Sequence, residues 1–201
     1  MKKLTLFALL LIISASAFAQ ESDNIIVAKK YNAGFVMGLN TNLLLPFGYL
    51  SGAFAAGFGG GATAKYIIDG KVGVGVLFNY QLLAARNPAI NITNTVMNFG
   101  GSLEYYLNKP GKITPYFGLD VAYYSFLSHF GSGGGATTTT FSVDNPFFSG
   151  LGLAPNIGFV IQINKYVDSN INFKYNHIFS SGYASQIVTI STGLIFHITQ
   201  E

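Results

Sequence analysis

Residues 71–82 read K-V-G-V-G-V-L-F-N-Y-Q-L: Val72, Val74, Val76, Phe78, Tyr80 and Leu82 fall on one face, and Lys71, Gly73, Gly75, Asn79 and Gln81 on the other. A period of two is that of a strand, whose successive side chains point to opposite sides of the sheet. Here the large aliphatic and aromatic residues share one face and the small or polar ones share the other. A tilted strand crossing a bilayer needs about 9–11 residues, and this run is that long.

The same pattern predicts eight strands. The first, 33–41, sends Ala33, Phe35, Met37 and Leu39 outward, and Gly34, Val36, Gly38 and Asn40 inward. The second, 58–68, sends Phe58, Ala62, Ala64, Tyr66 and Ile68 outward against Gly59, Gly61, Thr63 and Lys65. The third is the run above. Pairing Ile68 with Val72 keeps both outward sets on one side and requires a three-residue loop with Gly70 free to take positive φ, whereas a two-residue turn would flip one strand. The fourth (95–107), fifth (113–125) and sixth (151–163) strands repeat the alternation. They bring Asn98, Ser102, Glu104, Tyr106, Tyr116, Asp120, Tyr124 and Asn156 inward. The seventh follows a turn at 166–168 and turns Asn172, Lys174 and Asn176 inward, and the eighth ends with Leu194 and Phe196 outward. Pro115 and Pro155 are awkward within strands, because proline gives the ladder no N–H. Tight turns near Asp69, Gly111 and Asp168 alternate with longer loops at about 42–57, 83–94, 128–150 and 180–186, the asymmetry of a membrane barrel with short periplasmic turns.

Targeting and composition place this pattern in lipid. Lys2 and Lys3 precede an apolar stretch and then Ala17-Phe18-Ala19, the order of a cleavable signal peptide, so cleavage after Ala19 is expected. Losing 19 of 201 residues leaves 182 and, with Lys2 and Lys3 gone, takes the formal charge from +3 to +1, which is no argument for nucleic acid. Only 9% of residues are charged, against about 25% in a typical soluble domain. No later run is long and apolar enough for a spanning helix, which leaves a closed barrel as the structure that satisfies its backbone inside lipid. The chain has no Cys, which excludes disulfides, thiol catalysis and lipoprotein acylation. The expected organisation is a signal peptide (1–19), a short periplasmic segment (20–32), an all-β eight-stranded antiparallel up-and-down transmembrane β-barrel (33–198) and a tail (199–201). Charged residues gather at the turn end, and Tyr66 and Tyr105 on one side, with Tyr80, Tyr123 and Phe179 on the other, are placed to form interfacial aromatic girdles.

The segments Pro115-Tyr116-Phe117-Gly118-Leu119 and Ser191-Thr192-Gly193-Leu194-Ile195-Phe196 resemble those of the small eight-stranded outer-membrane barrels of the OmpA and OmpX type. The resemblance covers about residues 33–198. It implies the outer membrane of a Gram-negative-type bacterium, contact with outer-membrane lipids and folding by the barrel-assembly machinery. Members commonly end on an aromatic residue, whereas here His197-Ile198-Thr199-Gln200-Glu201 follow Phe196. Recognition by the assembly machinery is therefore expected to use Phe196 in a shifted position, or a less strict signal.

Four charges are expected in the lumen: Lys65, Glu104, Asp120 and Lys174. A lone buried charge is costly, so they should pair or form a network, a salt-bridge plug rather than a gate, because eight strands leave an interior just wide enough to be filled by side chains. The plug is also what the resemblance implies. Ser128, His129 and Asp144 share one expected loop, but a triad needs a defined hydrogen-bond chain that residue identity does not supply. A lipid A deacylase carries a His and a Ser two apart facing lipid, whereas His177 is followed at 179 by Phe. His177 and His197 read as interfacial or lumen-facing side chains rather than metal ligands. The glycines at 57–61 lead into a β pattern, not the strand-turn-helix of a dinucleotide site. The apolar run 43–50 is expected to be a loop that folds over the mouth, enters the outer leaflet or binds a hydrophobic partner. No cofactor or metal is expected, and a monomer is. The leading expectation is a non-enzymatic anchor whose surface loops serve envelope integrity, adhesion or an extracellular ligand. The alternatives are a lipid A-modifying enzyme and a small channel or hydrophobic-ligand carrier.

Overall fold

The computed structural model describes residues 34–86, 92–107, 112–131, 140–144, 149–180 and 184–198. The expected signal peptide, the segment 20–32, the tail 199–201 and the turn at 109–111 lie outside them.

Among the described residues nine strands form: β1 Gly34–Phe47, β2 Phe54–Ile68, β3 Val72–Ala85, β4 Ile92–Tyr106, β5 Ile113–Gly131, β6 Thr140–Asp144, β7 Gly150–Gln162, β8 Val167–Ser180 and β9 Ser185–His197. One short helix, α1 (Tyr49–Ala53), joins β1 to β2. The order β4-β3-β2-β1-β9-β8-β7-β5 closes on itself through a β4–β5 pairing, and every neighbouring pair is antiparallel. The result is an eight-stranded up-and-down barrel, with β6 attached to β5 outside the ring. Closure matters in lipid, where an unpaired strand edge could not be solvated.

The two faces of every stave separate as the period of two requires. Leu39, Phe58, Phe99 and Ile157 are 60–69% exposed on the outside, while Glu104, Asp120 and Asn98 are 2–5% exposed on the inside. An apolar belt of this extent is an aggregation surface in water and the fitting surface for hydrocarbon. Tyr66, Tyr105, Tyr80, Tyr123 and Phe179 all stand on the exposed outer face.

At the β2–β3 turn Ile68 pairs with Val72, and both Asp69 (φ 49°) and Gly70 (φ 64°) take the left-handed conformation. The Lys71 N–H closes the loop on the Ile68 carbonyl at 3.0 Å.

Several boundaries differ from the sequence-based expectation. Residues 43–47 are strand, not loop: β1 pairs with β9 as far as Phe47↔Gln186, because Leu44 and the next turn's Leu50 are both fully buried. Burial against the lumen overrides the turn signal of Pro46 and Gly48. The expected loop 128–150 is partly a hairpin, in which β5 runs on to Gly131 and pairs with β6. Val167 and Asp168 belong to β8, and the turn falls at 163–166, where Asn164 Oδ1 accepts the backbone N–H groups of Tyr166 and Val167 at 2.8 and 2.9 Å. Pro115 and Pro155 both lie within strands.

Candidate functional site

The lumen has three tiers. Near the turn end Val36, Ile67, Tyr106, Tyr116, Val160 and Ile195 form one apolar cluster. At the loop end a larger one gathers around Leu44, Leu50, Leu83, Val96, Phe126 and Ile187. Charges and amides fill the space between.

Lys65 on β2 donates from Nζ to Glu104 Oε1 on β4 at 2.5 Å, and Tyr106 donates from Oη to Glu104 Oε2 at 2.6 Å. The two charged residues are separated by β3, where Lys65 opposes Gly75 and Glu104 opposes Gly73. A Cβ at Gly75 would overlap the Ala64 carbonyl and sit 2.7 Å from Lys65 Cγ, so the lysine crosses β3 only because residue 75 has no side chain. Tyr106 stacks at 5.5 Å against Tyr116, whose hydroxyl accepts from the amides of Asn170 and Asn172 at 2.9 and 2.8 Å. Asn172 donates on to Asn156 Oδ1 at 3.2 Å, Asn156 donates to Asp120 Oδ1 at 3.4 Å, and Asp120 pairs with Lys174. The four expected lumen charges are thus used as two opposite-sign pairs linked through tyrosines and asparagines.

Above them, Asn42 donates to Asn79 Oδ1 at 3.0 Å and Asn79 to Asn98 Oδ1 at 2.7 Å. Tyr124 donates to Asn176 Oδ1 at 2.8 Å, and Asn176 reaches the Ile187 carbonyl and Thr189 Oγ1. Two small cavities of about 50 and 10 Å³ remain among these groups. At about 10–15 Å³ per water they hold a few molecules, not a continuous file. Asn40 Oδ1 and Asn42 Oδ1 border them without a protein donor, positions a water can satisfy.

α1 closes the loop end. Gly48 turns with φ 58°, Ser51 Oγ donates to the Gly48 carbonyl at 2.7 Å, and Arg86 donates to the Ser51 carbonyl at 2.5 Å and, through its backbone, to Ala53 at 3.0 Å. Arg86, assigned by sequence to an outer loop, therefore fastens the helix that seats Leu50.

One lumen pair lies beyond the four expected charges. Asp168, 2% exposed, meets His197 Nε2 at 2.7 Å at the turn end. The signal was present: Asp168 is an even number of residues from Asn172 and Lys174 and so shares their inward face, and His197 is likewise in step with Ser191 and Gly193. Placing residue 168 in a turn hid it. His177 lies on the outer wall, its ring edge-on to Phe179 at 4.7 Å.

Asp144 opposes Leu127, while Ser128 and His129 oppose Val143 and Ser142. Among the described residues no group of three His, Asp or Glu side chains is placed to hold a metal ion. The glycines at 57–61 lie in β2, with no helix start beside them.

A closed barrel with an apolar exterior and a filled polar interior defines the class: the fold is that of the small eight-stranded outer-membrane β-barrels. Among solved structures, the chain is similar to Neisserial surface protein A (TM-score 0.60, 17% identity, 81% of this chain and 96% of that one). It is similar also to the outer-membrane protein OprG of Pseudomonas aeruginosa (0.57, 13%, 87% and 100%) and to Ail, the attachment invasion locus protein of Yersinia pestis (0.52, 13%, 85% and 100%). At these identities the likeness is one of fold. No protein-family model and no curated protein matches the sequence.

Proposed function

We propose that the protein is a non-enzymatic outer-membrane anchor: a rigid, plugged barrel that presents loops at the cell surface for envelope integrity, adhesion or contact with a partner. The observation that carries this reading is the lumen, closed by apolar clusters at both ends and filled between them by paired charges and amides. A transport path would need a continuous polar passage, whereas a scaffold gains from having none. The presented part is the ribbon in which β5, past Leu127, pairs with β4 on one side and β6 on the other, beyond the point where β7 begins opposite Tyr124. Rigid scaffolds carry recognition on such projections. The attachment named for Ail is compatible with a surface role of this kind.

The test is reconstitution of the mature protein in planar bilayers, beside whole-cell binding to host or envelope components. The anchor reading expects no discrete conductance steps and binding that is lost when residues 132–139 are shortened. Stable openings of the native protein would overturn it in favour of a channel.

A further inference from the structure

The outer wall is not uniformly convex. Between β5, β7, β8 and β9 lies an open apolar groove of about 490 Å³, lined by Phe117, Pro155, Ile157, Phe173, Tyr175 and Val188. Its volume falls within the range of about 300–1,000 Å³ typical of small-ligand clefts. Its origin is local. Pro155 opposes Leu119 on β5, and the β7–β8 ladder is interrupted beside it: Leu153↔His177 and Asn156↔Lys174 share one register, but the rungs for Ala154 and Pro155 are missing. Proline has no N–H to bridge the strands. Its compact ring lies among large exposed neighbours, with Phe117, Ile157 and Phe173 in a row across three strands.

We propose that this groove seats one acyl chain of a membrane lipid. The groove is continuous with the lipid-facing belt and sits well inside it: Ile157 is in the middle of β7, away from either rim. Lipid headgroups do not reach that depth, and the lining, although it also takes in Asn156 and Lys174, is predominantly apolar. A second barrel is the other conceivable occupant, but two convex walls meet along a narrow line and would leave most of a depression on the outer face of these four strands unfilled. A single hydrocarbon chain is slim and flexible enough to do so. The site gives the anchor a retained lipid at a fixed place on its perimeter.

The experiment uses the mature protein folded in phosphatidylethanolamine–phosphatidylglycerol vesicles, extracted in mild detergent and weighed by native mass spectrometry. Val188→Trp and Ile157→Trp fill the groove, while Val76→Trp adds the same bulk elsewhere on the lipid-facing wall, where Val76 is 49% exposed. A heat-dependent gel shift establishes that each variant is folded, and either groove variant suffices if the other is not. The expected result is one phospholipid retained by the native protein and by Val76→Trp, with retention about tenfold lower in the groove variants, a change worth about 1.4 kcal/mol. No phospholipid on the native protein, or equal retention in all variants, overturns the proposal.

Discussion

Lys65 and Glu104 are 39 residues apart and lie on strands that are not paired, yet they form a 2.5 Å ion pair, because the lysine passes over Gly75 of the intervening strand. Both are buried, at 8% and 4% exposure, so neither charge has bulk water as an alternative partner. Glu104→Gln keeps the shape and leaves the Lys65 cation without its counter-charge. Breaking such a pair costs about 3–5 kcal/mol because it leaves an uncompensated buried charge, and removing the ammonium as well takes that charge away. Urea unfolding in vesicles should show Glu104→Gln strongly destabilised and Lys65→Met/Glu104→Gln largely restored. A double variant no more stable than the single one would show that the two residues are not coupled.

The same crossing makes Gly75 irreplaceable. A Val there would place its Cβ on the Ala64 carbonyl and against Lys65, and backbone cannot yield as a flexible side chain does. Overpacking a filled interior costs about 1–3 kcal/mol, and here the lost ion pair adds to it. Gly52 in α1 is the contrast, with nothing within 4 Å of an added Cβ. The heat-dependent gel shift should be lost or weakened in Gly75→Val and unchanged in Gly52→Ala.

The barrel was legible because a membrane exaggerates the period of two. With lipid on one side and a narrow lumen on the other, residues such as Phe78 and Asn79 cannot exchange faces. The four charges on the inward face were legible for the same reason. What alternation does not carry is height. Counted from a seventh strand that starts after a turn at 166–168, Lys174 lies level with Lys65 and Glu104 and apart from Asp120, but β8 already begins at Val167, which puts Lys174 as far into β8 as Asp120 is into β5, and the two pair across β7. How the mouth is built was hidden for a different reason: 43–50 carries Pro46, Gly48 and a run of leucines that reads as loop, one that could fold over the mouth. It becomes strand and helix because Leu44 and Leu50 fill the space above Leu83 and Phe126. That space exists only after the ring has closed.

Asp168 and His197 join the first residues of β8 to the last of β9 at the turn end, next to the rungs Asp168↔Ile195 and Val167↔Phe196. Asp168→Ala removes a buried acceptor that lies 2.7 Å from the imidazole. The cost of leaving a buried polar group without its partner is about 1–3 kcal/mol. Hydrogen exchange should quicken at the amides of residues 194–197 while those of β3 remain protected. His197→Gln, which keeps a donor, should recover part of the protection, and equal exchange in all three proteins would mean that the pair does not hold this seam.

Leu50 decides whether the mouth is shut. It is fully buried among Leu44, Phe54 and Leu83, at the tip of a five-residue helix too short to persist by its own hydrogen bonds. Leu50→Ala should therefore cost about 2–5 kcal/mol of local packing, as large-to-small changes in filled cores do. Because α1 is a lid and not a stave, that loss should loosen the mouth and leave the ring closed. The native chain has no cysteine, so Asn98→Cys gives a single reporter in the amide tier below the lid. A membrane-impermeant maleimide added from outside should react slowly with Asn98→Cys alone and much faster once Leu50→Ala is added, with the gel shift of the folded barrel intact in both. Arg86→Ala, which releases the carbonyl of Ser51, should fall between them, since it removes the fastening but not the plug. Equal labelling with and without Leu50 would mean that the lumen is sealed below α1, by the tier of Leu83, Val96 and Phe126.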